Sequence, residues 1–337
     1  RNRGDGTFED VTQKAGLEGA GTGYNFGAAA GDYDNDGRDD IFLTSAEGDV
    51  LYHNNGDGTF RDVTKGSGLD TKPPHTLSVS AAWFDYDNDG LLDLVVSEYT
   101  TWTPQTDVRC RAAHGPGDVY CFPKTYASVP NRLYHTVGHG RFWDVIESSG
   151  FSKSLGKGMG IAVADFAGDG RPGIFVANDN ARNLLLRNRG KGFEEIGVDA
   201  GVAYNGDGRN ISGMGADFGD IDGDGRPDIV MTGLKNETYE VFLNLGRGMF
   251  DDGSVKTGML NLSRRWNGWG CGLADLDNDG WLDLFVAGGG LDVEDAQSNR
   301  IFRNLGGRFE DATNGVGEES QKPAMHRAVV FADFNRD

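Results

Sequence analysis

The chain has 337 residues, 37% hydrophobic and 10% aromatic, with 52 acidic against 32 basic side chains and a formal charge of −20. That charge would repel a phosphate backbone and so excludes nucleic acid as a partner. No apolar run reaches the roughly 18 residues of a membrane-crossing helix, which excludes direct membrane insertion by a helix, and regularly spaced apolar clusters exclude a disordered polyelectrolyte.

In chain order, residues 1–12 read RNRGDGTFEDVT, and a repeat follows. The first full copy, approximately residues 13–64, runs through GDYDNDGRDDIF at Gly31 to Phe42 and ends in LYHNNGDGTFRDVT. The second, 65–146, carries FDYDNDGLLDLV at Phe84 to Val95, an insertion over 98–130, and NRLYHTVGHGRFWDV. The third, 147–199, has the weakened ADFAGDGRPGIF from Ala164 and then NLLLRNRGKGFEEI. The fourth, 200–254, reads GDIDGDGRPDIV at Gly219 to Val230 and VFLNLGRGMFDD; the fifth, 255–313, reads ADLDNDGWLDLF at Ala274 to Phe285 and NRIFRNLGGRFEDAT. A sixth copy, ADFNRD, closes the partial repeat 314–337. The first aspartates, Asp32, Asp85, Asp165, Asp220, Asp275 and Asp333, are 53, 80, 55, 55 and 58 residues apart.

Each copy reads as four strands: a small-residue strand, the acidic loop, a strand such as IFLTS, a variable loop, a strand such as VLYHN, a glycine-rich turn, and a strand such as FRDVT. Repeated four-stranded units predict an all-β fold, a single β-propeller domain of antiparallel blades over 1–337. Both ends fall inside a motif, so a fragment or a processed form is expected. Residues 1–12 would complete a blade begun by 314–337 and close a six-bladed ring, or a further blade lies outside the sequence.

The acidic loop has the spacing D-x-D-x-D-G-x-x-D. Calcium takes six to eight oxygens at about 2.3–2.6 Å, and carboxylates on alternate residues of a tight loop converge on one point. Glycine at the sixth place allows the turn, the seventh offers a backbone carbonyl, and the ninth closes the site. Without a cation the carboxylates repel one another. The third repeat keeps Asp165 and Asp169 but has Ala167 and Gly173 at the third and ninth places, so weak or absent calcium binding is expected there.

This motif and its period resemble the FG-GAP and VCBS repeats of integrin α-subunit propellers. The N-x-G-D-G-T-F-x-D-V-T element resembles the cartilage acidic protein family and its bacterial ASPIC/UnbV relatives. The resemblance implies seven blades with Ca²⁺ in the hairpin between the first and second strands. It assigns calcium ligands to Asp32, Asp34, Asp36, the Arg38 carbonyl and Asp40; to Asp85, Asp87, Asp89, Leu91 and Asp93; to Asp220, Asp222, Asp224, Arg226 and Asp228; and to Asp275, Asp277, Asp279, Trp281 and Asp283. Asp333 would begin a sixth, truncated site.

In such a blade the loops between strands two and three, and between blades, lie opposite the acidic loops. The segments before each inner strand bring Tyr24, His75, Lys157, Arg209, Arg265, Trp266 and Arg327 to that face. Cations and aromatics there suit an anionic partner, a carboxylated glycan or an acidic protein loop. The insertion belongs on the same face and holds Cys110 and Cys121, which point to a disulfide and an oxidising compartment; zinc with nearby His114 is the rival reading, and Cys271 reads as a buried thiol. Arg3, Gly4 and Asp5 spell an adhesive tripeptide, but NNGDGTF at Asn54 repeats the same turn; Asn210, Asn236 and Asn261 begin glycosylation sequons. The expected function is a calcium-stabilised recognition or adhesion module, secreted, cell-surface or periplasmic, that binds protein or glycan. The alternatives are a subunit of an extracellular assembly and a polysaccharide lyase-like enzyme using His75, Tyr24 and Lys157, although no hydrolase, zinc-protease or haem signature is present.

Overall fold

The computed structural model describes residues 1–18, 24–111, 118–291, 295–315 and 317–332. Five four-stranded antiparallel sheets follow one another along the chain. Blade 1 is Asn25–Gly31, Asp40–Ser45, Val50–Asn54 and Phe60–Asp62; blade 2 is Thr76–Phe84, Asp93–Thr101, Arg132–Thr136 and Phe142–Asp144. Blade 3 is Gly158–Ala164, Gly173–Asn178, Leu184–Asn188 and Phe193–Glu195; blade 4 is Ala216–Gly219, Asp228–Met231, Glu240–Gly246 and Met249–Asp252. Blade 5 is Gly268–Ala274, Asp283–Gly288, Arg300–Asn304 and Phe309–Asp311.

The second and third strands are apolar runs because both faces of each sheet are covered. Alternate residues go to opposite neighbours. Ile174 and Val176 of blade 3 pack with Val95 and Leu133 of blade 2, whereas Phe175 and Ala177 pack with Ile229, Met231 and Phe242 of blade 4. Similar layers join blade 1 to 2 through Phe42, Leu51, Leu94 and Tyr134, and blade 4 to 5 through Val230, Val241, Leu284 and Phe302. The core is thus a row of layers between sheets. Inner strands approach so closely that a Cβ on Gly160 would lie 2.7 Å from the Met214 carbonyl oxygen, which explains the small residues of these strands. At the rim, the segment entering each blade accepts a hydrogen bond from its outermost strand: Phe60 N–H to Ala15 O, Phe142 N–H to Ser67 O, and Phe193 N–H to Ser149 O, at 2.7–2.8 Å.

The expectation of seven blades, or six by joining the two ends, is corrected to five among the described residues. Within 1–12 there is only an isolated bridge between Asn2 and Phe8. The C-terminal residues instead bond along the blade beside them. Ala15 bonds to blade 1, and Gly270 of blade 5 donates to Arg327 O at 2.9 Å, where Phe331 also meets Phe285 edge-on. Asp333 lies outside the described residues, as does His114. The second strand of blade 2 continues through Glu98 to Thr101, and the inserted segment that follows is closed by a Cys110–Cys121 disulfide, with Cα atoms 5.2 Å apart. Those sulfurs are bonded to each other, so the zinc alternative falls away.

Candidate metal centres

Each acidic loop lies between the first and second strands of its blade. Its first aspartate organises it. The carboxylate of Asp32 accepts from the N–H groups of Asp36 (3.0 Å) and Gly37 (2.8 Å), and Asp85, Asp220 and Asp275 do the same within their loops at 2.8–3.1 Å. This needs left-handed backbone at the fourth and sixth places, at Asn35 (φ 59°) and Gly37 (φ 85°) for example, which asparagine and glycine tolerate. The fifth aspartate holds the seventh N–H with one oxygen: Asp36 from Arg38, Asp89 from Leu91, Asp224 from Arg226 and Asp279 from Trp281, at 2.9–3.0 Å.

The ninth aspartate is buried on the second strand and accepts from a third-strand N–H. Asp40 is bound by Asn54, Asp93 by Thr136, Asp228 by Asn244 and Asp283 by Asn304, at 2.7–2.8 Å. Burial, reinforced by neighbouring loop carboxylates, pushes Asp40, Asp93 and Asp228 up to about 6. A divalent cation among them would reverse that penalty.

The donor set fits such an ion. Asp34 Oδ1, Asp40 Oδ2 and Asp222 Oδ1 are buried without a hydrogen-bond partner. One oxygen from each of Asp32, Asp34 and Asp40 lies within 4.8 Å of the others, and so do those of Asp85, Asp87 and Asp89 and those of Asp220, Asp222 and Asp228. These are hard oxygens converging on one point, the chemistry calcium prefers.

The residue preceding the third-strand Asn or Thr also faces the loop, and the sequence reading missed it. In blade 1, His53 Nδ1 is 3.3 Å from Asp34 Oδ2 and from Asp40 Oδ1. In blade 2, His135 Nδ1 is 3.1 Å from Asp93 Oδ1 and 3.7 Å from Asp87 Oδ2. Blade 5 sets Arg303 against Asp277 (2.6 Å) and Asp279 (3.1 Å), and blade 4 has Leu243 at this place. The available signal was alignment of LYHN, LYHT, LLRN, VFLN and IFRN, whose penultimate residue changes between His, Arg and Leu while the residue before it stays apolar or aromatic and the one after it is Asn or Thr.

Blade 3 keeps the loop but not the site. Asp165 accepts from Asp169 (3.1 Å) and Gly170 (2.7 Å) as in the full copies. The buried Phe166 ring occupies the space beside Gly173, where a Cβ would collide with it.

On the opposite face, the seven residues singled out earlier do not converge. Tyr24, His75, Arg209 and Arg265 are exposed on separate loops, with His75 at φ 67°. Trp266 is covered by the Arg300 guanidinium at 3.3 Å, and Arg327 lies over Trp269 at 3.9 Å. Lys157 alone reaches a groove, of about 550 Å³, which Lys124, Tyr126, Arg182, Tyr204 and Asn210 also line. Its Nζ donates to the Tyr126 carbonyl at 2.6 Å.

A family model described as FG-GAP-like repeat matches residues 1–43, 32–96, 165–231, 220–286 and 275–337. Human cartilage acidic protein 1 is 30% identical over 202 residues, 58% of this chain and 29% of that protein. The mouse protein is 29% identical over 275 residues, 79% of this chain and 35% of the relative. The chain therefore spans well under half the length of the curated relatives it matches. Among solved structures, an Agrocybe aegerita lectin described as recognising non-reducing terminal N-acetylglucosamine aligns at 21% identity and a TM-score of 0.44, covering 83% of this chain and 63% of its own. The repeat model leaves unmatched only the stretch between residues 96 and 165, around the inserted segment, and this protein belongs to the FG-GAP-like repeat family.

Proposed function

We propose that the propeller is a calcium-stabilised recognition module that works outside the cytoplasm and binds an anionic glycan or acidic protein loop on the face away from its acidic loops. The full loops of blades 1, 2, 4 and 5 hold divalent cations, calcium wherever oxygens alone supply the ligands. The observation that carries this is the set of buried, unpartnered carboxylate oxygens on Asp34, Asp40 and Asp222. Leaving such an atom unsatisfied costs about 1–3 kcal/mol, more when it is charged. Modules of this kind bind calcium with dissociation constants of roughly 10⁻⁴ to 10⁻³ M, so they fill outside the cell, and a disulfide belongs to the same compartment.

For recognition, the groove between blades 2 and 3 gathers Lys124, Lys157 and Arg182 with two tyrosines in a chain of charge −20. Cations beside aromatic faces suit carboxylated sugars. The test is a binding screen of acidic and neutral polysaccharides in millimolar calcium. Retention of an acidic polysaccharide that Lys157→Ala with Arg182→Ala weakens at least tenfold supports the reading. Indifference to both cations removes the groove from it, and release of unsaturated products would make the protein a lyase instead.

A further inference from the structure

The four full loops do not offer one donor set. In blade 1 the His53 side chain is more than nine-tenths buried, and its Nδ1 has no hydrogen-bond partner although it faces Asp34 and Asp40. Nε2 on the other side of the ring lies 3.8 Å from Asp36 Oδ2. Asp34 Oδ1 and Asp40 Oδ2, the other oxygens of the two carboxylates that Nδ1 faces, are unpartnered as well. A cation that accepts the nitrogen and these carboxylates together satisfies all three groups.

We infer that the blade 1 loop binds a borderline first-row cation of the Zn²⁺ class, through His53 Nδ1 with Asp34 and Asp40, in place of the calcium of the oxygen-only loops. This rests on the reading of the acidic loops as cation sites and changes the ion of one of them. Tetrahedral zinc with ligands at about 2.0–2.2 Å places neighbouring donors about 3.4 Å apart. The two distances from Nδ1, 3.3 Å to Asp34 Oδ2 and 3.3 Å to Asp40 Oδ1, match that spacing. Calcium, by contrast, wants six or more oxygens, and an imidazole takes the place of one without serving as a hard ligand. Blade 4 is the internal control, with Leu243 at the same place and Asp220, Asp222 and Asp228 as its converging ligands.

The test is calorimetric titration of ZnCl₂ into chain stripped with EDTA and returned to millimolar CaCl₂, for the wild type, His53→Leu and His53→Gln. The wild type takes up one more tight zinc equivalent than either variant, or binds that equivalent at least tenfold more strongly. His53→Gln keeps a polar side chain of similar size should leucine disturb the hairpin. Identical zinc isotherms in all three overturn the inference. Melting curves of the same samples separate the two readings. Stabilisation by calcium with no His53-dependent zinc site refutes only the zinc assignment, whereas a wild type indifferent to calcium refutes the calcium reading on its own.

Discussion

Blades 3 and 4 are neighbours with the same hairpin and different chemistry. Asp165 holds two N–H groups of its loop and Asp220 three, at 2.7–3.1 Å, although blade 3 lacks the third and ninth carboxylates. The loop therefore folds on its first aspartate and its left-handed residues, not on a complete ligand set. Of the carboxylates that blade 4 adds, Asp228 is tied to the N–H groups of Ile221 and Asn244, whereas Asp222 Oδ1 is buried with no partner. Where they are absent, an aromatic ring fills the space. The comparison separates what shapes the turn from what would bind a cation.

The largest effect expected to test that separation is chelation. A site at 100 times its dissociation constant adds about 2.7 kcal/mol, so stripping the full loops should lower the melting temperature by about 10 °C or more. A melting curve unmoved by EDTA would end the account. Next, Asp222→Asn should lose most of one such increment in calcium and little in EDTA, whereas Asp169→Asn in blade 3 should stay within about 0.5 kcal/mol in both, read from denaturant midpoints.

Rebuilding sharpens the contrast further. Gly173→Asp alone should destabilise blade 3 by about 1–3 kcal/mol, because its Cβ meets the Phe166 ring. Ala167→Asp and Gly173→Asp with Phe166→Ile, the residue blade 4 has at Ile221, should recover that loss in calcium and add one calcium equivalent by equilibrium dialysis.

A separate effect concerns a buried carboxyl at a place where blade 3 has leucine. Glu240 pairs with Met231 where Leu184 pairs with Val176, and burial followed by repulsion from Asp252 pushes it up to about 8. The folded chain thus keeps a proton that the unfolded chain releases above its ordinary value near 4.5. Its contribution is complete below that value and is lost as the pH rises towards 8, at no more than about 1.4 kcal/mol per pH unit. Glu240→Gln should flatten this part of the stability profile between pH 5 and 8; an unchanged slope would mean the group ionises freely.

Four strands per repeat, the place of each acidic loop and the loss of ligands at Ala167 and Gly173 were legible in the sequence, because all depend on residues within nine positions of one another. A D-x-D-x-D-G turn is local backbone chemistry, and alternation along a strand needs no partner. What faces the loop is different. His53, His135 and Arg303 reach it across a hairpin whose register is set by the Asp40–Asn54, Asp93–Thr136 and Asp283–Asn304 hydrogen bonds, and the loop between the partners varies in length.

Tertiary structure also decided where residues 324–327 lie, hydrogen-bonded along blade 5. It decided the groove as well: Lys157 meets Lys124 and Arg182 there, whereas Arg265 and Arg327 lie on other loops. Sequence by itself determined the repeat, its strands and the place of the clustered carboxylates, since the forces involved act within one turn or one strand. Only packing between sheets determined which side chains share a site, since that depends on how separate loops are carried around the axis.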